Sequence, residues 1–101
     1  MSGEKDGSWS FTALLWREGA WHFATVPEDV SDEVDEVVGD ATGGFGSVRV
    51  EVTLGRSVWR TSLFPSAQVG AYVLPVKKAV RTSEGLDDGA AADLTIRLVE
   101  R

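Results

Sequence analysis

The feature that most constrains the fold of this chain is a strict alternation of aliphatic and polar residues in the run VRVEVTL, residues 48–54. Successive side chains of a β-strand point to opposite faces, so this period of two indicates a strand with one buried face. The dipeptide Gly55-Arg56 follows, and then a second run of strand character, SVWRTSLF. Two such runs joined by two turn residues predict an antiparallel hairpin, which needs further strands to cover its apolar face.

Four further segments have strand character. The run FTALLWR ends at the turn Glu18-Gly19 and precedes WHFATV, AYVLP lies further along, and alternation resumes around Ile96. Pro27 and Pro75 end two of these strands, because proline cannot donate a ladder hydrogen bond, and each suits the start of a helix. We therefore predict a mainly β fold, a small barrel of about six strands with two short helices.

The two predicted helices cover residues 27–38 and 76–85. Ser31 is the predicted N-cap of the first helix and Gly39 its stop, and Gly85 ends the second helix. The order strand, proline, helix, glycine occurs twice, with Pro27 and Pro75 48 residues apart. This repeat indicates two similar halves, which arose either by duplication or by independent use of the same arrangement. The inward face of the second helix is predicted to contain Val76, Ala79, Val80 and Ser83.

Length and composition limit the protein class. A chain of 101 residues, 43% hydrophobic and 26% charged, predicts one domain over residues 9–101 behind a flexible tail of residues 1–8. The absence of cysteine excludes disulfides, thiolate metal sites and a cysteine nucleophile. The polar start MSGEKDGS and the lack of a long apolar stretch predict a cytoplasmic protein with no membrane segment.

The charge is negative overall and unevenly distributed. A formal net charge of −6 argues against nonspecific binding of nucleic acid, which depends on cationic side chains that displace counterions. Residues 1–45 contain ten acids and two bases, whereas residues 46–101 contain six acids and eight bases. The second part of the chain therefore contains a basic region that the total charge conceals.

Motifs for catalysis, metals or cofactors are weak. His22, the single histidine, is predicted to be a partly exposed strand residue rather than a base or a ligand. The run TGGFG lacks the lysine of a phosphate loop and follows a helix, so a plain loop is favoured. The acids of the first helix lack the spacing of a calcium loop and are interpreted as a solvated face. No catalytic residue, metal or cofactor is predicted, although carboxylates paired in space leave a small hydrolase or isomerase open.

Two groups of side chains are candidates for a ligand site. The four tryptophans and Tyr72 could stack on a ligand, although packing in and around the core is the preferred interpretation. Lys77 and Arg81 lie one turn apart on the second helix, and the preceding hairpin adds arginines, with Arg56 and Thr61 beside them. These bases either bind an anion, a nucleotide phosphate or an acidic partner surface, or they pair with the acidic first helix. The candidate anion or partner-binding residues are Arg49, Arg60, Ser62, Lys77, Lys78 and Arg81.

The runs FGSVRVEVTL, WRTSLFP and LPVKKAVRTSEGL, with WREGAWHFATVPEDV before them, resemble in their order a bacterial family of domains of unknown function, DUF1905. The resemblance covers Phe11 to Leu98. It implies a double-split β-barrel, the fold class of the AbrB-type swapped-hairpin DNA-binding dimers, with both halves here supplied by one chain.

These observations favour a noncatalytic binding or interaction module whose partner is a small anion or another protein. The alternative is a nucleic-acid-binding regulator of the AbrB-like barrel type, which rests on fold likeness alone and which the net charge opposes. We expect no membrane partner, and a monomer or weak dimer, because split-barrel edges can pair between chains.

Overall fold

The computed structural model describes residues 7–38 and 46–99, so residues 1–6 of the predicted tail, the predicted stop Gly39 and most of the TGGFG run lie outside the described residues. The secondary-structure elements, in chain order, are β1 (Ser8–Glu18), β2 (Trp21–Thr25), α1 (Glu28–Val38), β3 (Val48–Leu54), β4 (Ser57–Ser66), β5 (Ala71–Pro75), α2 (Lys78–Glu84) and β6 (Ala91–Leu98).

The six described strands form a closed antiparallel barrel in the order β1-β2-β5-β4-β3-β6, which confirms the predicted fold class. Both predicted hairpins are present, β1 with β2 and β3 with β4. The first residue of each two-residue turn, Gly19 and Gly55, has a positive φ of 61° and 62°, which glycine adopts without steric cost.

The two long strands change partners midway. β1 pairs with β6 up to Leu14 and with β2 from Leu15, while β4 pairs with β3 up to Leu63 and with β5 from Phe64. Exchanging β1 with β4, β2 with β5 and β3 with β6 leaves the strand order unchanged. The two related halves predicted from the proline spacing are therefore also present in the topology.

The core fills the inside of the barrel. All four aliphatic side chains of β3 are buried, whereas Arg49 and Thr53 are exposed, which confirms the alternation that predicted this strand. Val34 of α1 and Val80 of α2 join the same cluster. Full burial of an aliphatic side chain of this size stabilises the fold by about 1.5–3 kcal/mol, so the barrel and both helices share one source of stability.

The predicted N-cap of α1 is wrong. The helix begins at Glu28, and Ser31 lies buried within it. The Ser31 hydroxyl accepts a hydrogen bond from the Tyr72 amide at 3.1 Å and donates one to the Val26 carbonyl at 3.3 Å. A tertiary contact with the β5 backbone thus occupies the hydroxyl. This explains why Ser31 does not cap the helix, although serine is a residue type preferred at N-caps.

The predicted inward face of α2 is half wrong. Val76 and Val80 are buried, but Ala79 and Ser83 are exposed. The helix has seven residues, so Val80 alone within it is buried, and Val76 packs into the core ahead of the helix. Gly85 ends α2 as predicted, with a left-handed φ of 68°. Neither α1 nor α2, the helices of the described ranges, has the length and apolar content needed to cross a membrane.

Candidate functional site

A cleft of about 640 Å³ opens between the start of β2, the middle of β4 and the segment that leads into α2. Four cationic side chains line it: Arg60 from β4, Lys77 just before α2, and Lys78 and Arg81 from α2. None of the described residues that line it is acidic. The cleft therefore concentrates positive charge in a protein whose net charge is −6.

Four of the six predicted site residues meet in this basic cleft, and Thr61 lies beside them. Arg49 and Ser62 do not line it. They face each other as Cα partners in the β3–β4 ladder. Arg49 belongs to β3, one strand further round the barrel than the strand that borders the cleft.

The acidic helix α1 does not neutralise these cations. Within residues 7–38 and 46–99, Lys77, Lys78 and Arg81 form no ion pair. Arg60 has an acidic neighbour, since its Nε lies 3.9 Å from an oxygen of Glu51. Pairing of the basic residues with α1, the alternative left open by the sequence, is not seen in the described part of the chain.

Glu51 is shared between two arginines. Its other carboxylate oxygen accepts a hydrogen bond from Arg97 at 2.9 Å. That hydrogen bond, together with the charges of Arg97 and Arg60, lowers the pKa of Glu51 below its usual value, against a smaller opposing effect of desolvation. One ionised carboxylate thus serves two guanidinium groups, and positive charge remains beside the cleft.

Arg81 is held in position by its own segment. Its Nε donates a hydrogen bond of 3.1 Å to the carbonyl oxygen of Val76. This bond ties the guanidinium group to the strand end that precedes α2. A planar guanidinium fixed in this way presents its remaining N–H groups in a fork that matches carboxylate and phosphate oxygens.

His22 also lines the cleft and is more buried than predicted, with 10% of its side chain exposed. Its Nε2 lies 2.6 Å from an oxygen of Asp88, and Arg17 Nε lies 3.8 Å from the other oxygen of that carboxylate. An ionised carboxylate only accepts hydrogen bonds, so the proton in this contact is carried by Nε2. Nδ1 is buried and has no hydrogen-bond partner among the described residues.

The tryptophans divide between the two interpretations offered by the sequence. Trp9 is buried and Trp16 is half-buried, as expected for packing. Trp21 and Trp59 line the basic cleft, as does Phe64. The sequence does not separate these roles, because all four tryptophans occur in similar strand-like runs and differ only in what the barrel places opposite them.

A second cleft, of about 330 Å³, lies between α1 and the start of β5 and includes Asp32, Asp35 and Tyr72. The Tyr72 hydroxyl donates a hydrogen bond to Asp35. Burial, and then this hydrogen bond and the Asp35 charge, raise the pKa of Tyr72 well above its usual value. No group of three side chains suited to hold a metal ion occurs in the part of the chain that the structure describes.

The fold and the cleft define a small six-stranded β-barrel domain with a basic, aromatic-lined cleft. The family model "Domain of unknown function (DUF1905)" matches residues 11–96, and the chain belongs to this family. The resemblance seen in the separated motifs is thereby confirmed. No curated protein matches the chain.

Proposed function

We propose that this domain is a noncatalytic binding module that holds a small anion in the basic cleft. The supporting observation is the set of four cations with no acidic lining residue, three of them without an ion pair in the described ranges. Cations gathered without counter-charges repel one another, and an anion converts that repulsion into charge-assisted hydrogen bonds. The tethered guanidinium of Arg81 supplies the directional part of the site.

A small anion fits better than a nucleic acid. The cleft volume of about 640 Å³ falls within the range of about 300–1,000 Å³ typical of small-molecule sites. A strand of phosphates longer than the cleft would run onto a protein surface whose net charge is −6. Long polyanions gain affinity from many phosphate contacts, and one local group of four cations offers few of them.

The test compares two double variants that remove the same charge. Lys77→Ala/Lys78→Ala removes two exposed cations of the cleft, whereas Arg49→Ala/Arg56→Ala removes two exposed cations that do not line it. Thermal unfolding is measured with inorganic phosphate, pyrophosphate, citrate, adenosine monophosphate and a short oligonucleotide. A ligand present at one hundred times its Kd stabilises a folded protein by about 2.7 kcal/mol, or roughly 10–20 °C in Tm for a domain of this size.

We expect at least one small anion to raise Tm in the wild type and in the Arg49/Arg56 variant, and to lose this effect in the Lys77/Lys78 variant. Equal loss in both variants would assign the effect to net charge and contradict the site. Stabilisation by the oligonucleotide alone, weakening steeply with salt, would favour the nucleic-acid alternative. No shift with any probe would overturn the proposal.

A further inference from the structure

The basic cleft has an aromatic side as well as a cationic one. Trp21 is 64% exposed, Phe64 is 45% exposed and Trp59 is half-buried. Both strongly exposed rings line the cleft. Large apolar side chains left in water cost hydrophobic stabilisation, and where they gather at a concave surface they are typical of a binding site.

The Trp21 ring packs against an aromatic neighbour. It stacks on Phe23, with centroids 6.2 Å apart and an angle of 13° between the planes. The ring centroids of Phe23 and Trp16 lie 4.9 Å apart. The indole N–H of Trp16 donates a hydrogen bond of 2.9 Å to the Thr25 hydroxyl. A ring ordered before binding loses little entropy when a ligand stacks on it, so the exposed indole is a prepared surface.

His22 adds a polar group to the same cleft. Its hydrogen bond with Asp88 holds the ring, and its Nδ1 is buried without a hydrogen-bond partner among the described residues. The lining of the cleft thus combines cations, aromatic rings and an imidazole that a hydrogen bond holds in place.

We infer that the ligand of this cleft is a small phosphorylated molecule that carries a planar aromatic ring, of the nucleotide or aryl phosphate type. The phosphate contacts the cations around Lys77 and Arg81, and the ring stacks beside Trp21 or Phe64. This inference rests on the proposed function, because it names the chemistry of the anion. It goes beyond that proposal because it requires an aromatic ring in the ligand. A simple anion would make no stacking contact with the exposed aromatic side chains.

The test separates the ring from the charge. Calorimetric titrations of the full chain compare adenosine monophosphate and phenyl phosphate with ribose 5-phosphate and inorganic phosphate. Stacking of a base on an aromatic side chain contributes about 1–3 kcal/mol, so the aromatic phosphates should bind roughly 5- to 150-fold more tightly than the ring-free ones. Quenching of tryptophan fluorescence should accompany binding of the aromatic phosphates only.

Three variants locate the two halves of the site. At least one of the variants Trp21→Ala and Phe64→Ala should abolish the preference for the aromatic phosphates and leave the affinity for ribose 5-phosphate unchanged. Lys77→Ala should lower the binding affinity for all the phosphates by a similar factor. Leu14→Ala is the control, because Leu14 is 63% exposed yet does not line the cleft, and it should change nothing.

Equal affinities for ring-bearing and ring-free phosphates would overturn this inference and leave the proposed function standing. A preference for the ring that survives in both Trp21→Ala and Phe64→Ala would also overturn it. If no phosphate binds, this inference is overturned and phosphate is excluded as the anion of the proposed function. If citrate binds in that case, the proposed function still stands without this inference.

Discussion

The turn between β3 and β4 offers a quantitative test of how α2 is coupled to the barrel. The Glu84 carboxylate at the end of α2 accepts hydrogen bonds from the Ser57 hydroxyl at 2.7 Å and the Arg56 amide at 3.2 Å. A Cβ atom on Gly55 would collide with this carboxylate, with the Glu84 Cδ only 2.7 Å away. Gly55→Ala must therefore displace the Glu84 carboxylate, and we expect both hydrogen bonds to be lost.

The expected loss has two parts. Alanine at a φ of 62° costs about 1–2 kcal/mol because its Cβ crowds the backbone. Each lost hydrogen bond adds about 0.5–1.5 kcal/mol, and partial exposure of the pair places their sum nearer the lower end, at about 1–2 kcal/mol. Gly55→Ala should thus cost about 2–4 kcal/mol. Gly19→Ala should cost only the first part, because Gly19 has a φ of 61° and nothing within 4 Å of the added methyl group.

Urea unfolding followed by tryptophan fluorescence measures both free energies of unfolding. A double-mutant cycle then adds Glu84→Ala to each alanine variant, which isolates the contribution that passes through the carboxylate. In the Glu84→Ala background the two glycine variants should cost the same. The reasoning is refuted if they cost the same in the wild-type background, or if their difference persists after Glu84 is removed.

Two further predictions concern β5 and its contact with α1. Tyr72 is the single tyrosine, so the ultraviolet absorbance of tyrosinate reports it alone; its pKa in the folded protein should lie well above 10.0, and Asp35→Asn should reduce the shift. Because the pKa of Tyr72 is raised in the folded state, the stability that Tyr72 contributes is complete below the unfolded pKa of about 10 and is lost as pH rises above it. Tyr72→Phe should remove this loss of stability. Titration of Tyr72 at its ordinary pKa in the folded protein would contradict the prediction. Ser31→Ala leaves the buried Tyr72 amide without its partner and should cost about 1–3 kcal/mol in chemical denaturation, whereas Ser83→Ala on the exposed face of α2 should stay within about 0.5 kcal/mol; equal losses would refute the buried hydrogen bond.

Much of the candidate site was predictable because its cations occur close together in the chain. Lys77, Lys78 and Arg81 lie within one short segment, and helical spacing places two of them on one face. Arg60 lines the same cleft and comes from a hairpin expected to lie near that helix. Arg49 does not line the cleft, because a place in its lining depends on which strand the helix packs beside, and no local pattern encodes that choice.

The rest of the cleft depends on contacts between distant residues. His22 and Asp88 are separated by 66 positions, and they meet because the α2–β6 connection returns to β1, where its backbone is hydrogen-bonded to Leu15. Trp21 lines the cleft because its strand pairs with β5, whose end leads into α2. These residues looked ordinary in the sequence, since one histidine and one exposed tryptophan on strands form no motif.

The alternation in residues 48–54 determined by itself that this chain forms a sheet with one buried face, and the two prolines and glycine turns determined where strands end and helices begin. Such properties are local, because the period of burial and the allowed φ values are set within a few residues. Closure of the barrel and the change of partner along β1 and β4 were decided by the tertiary structure. Pairing across tens of residues depends on the whole core, and that pairing brings four cations, three aromatic rings and His22 to one cleft.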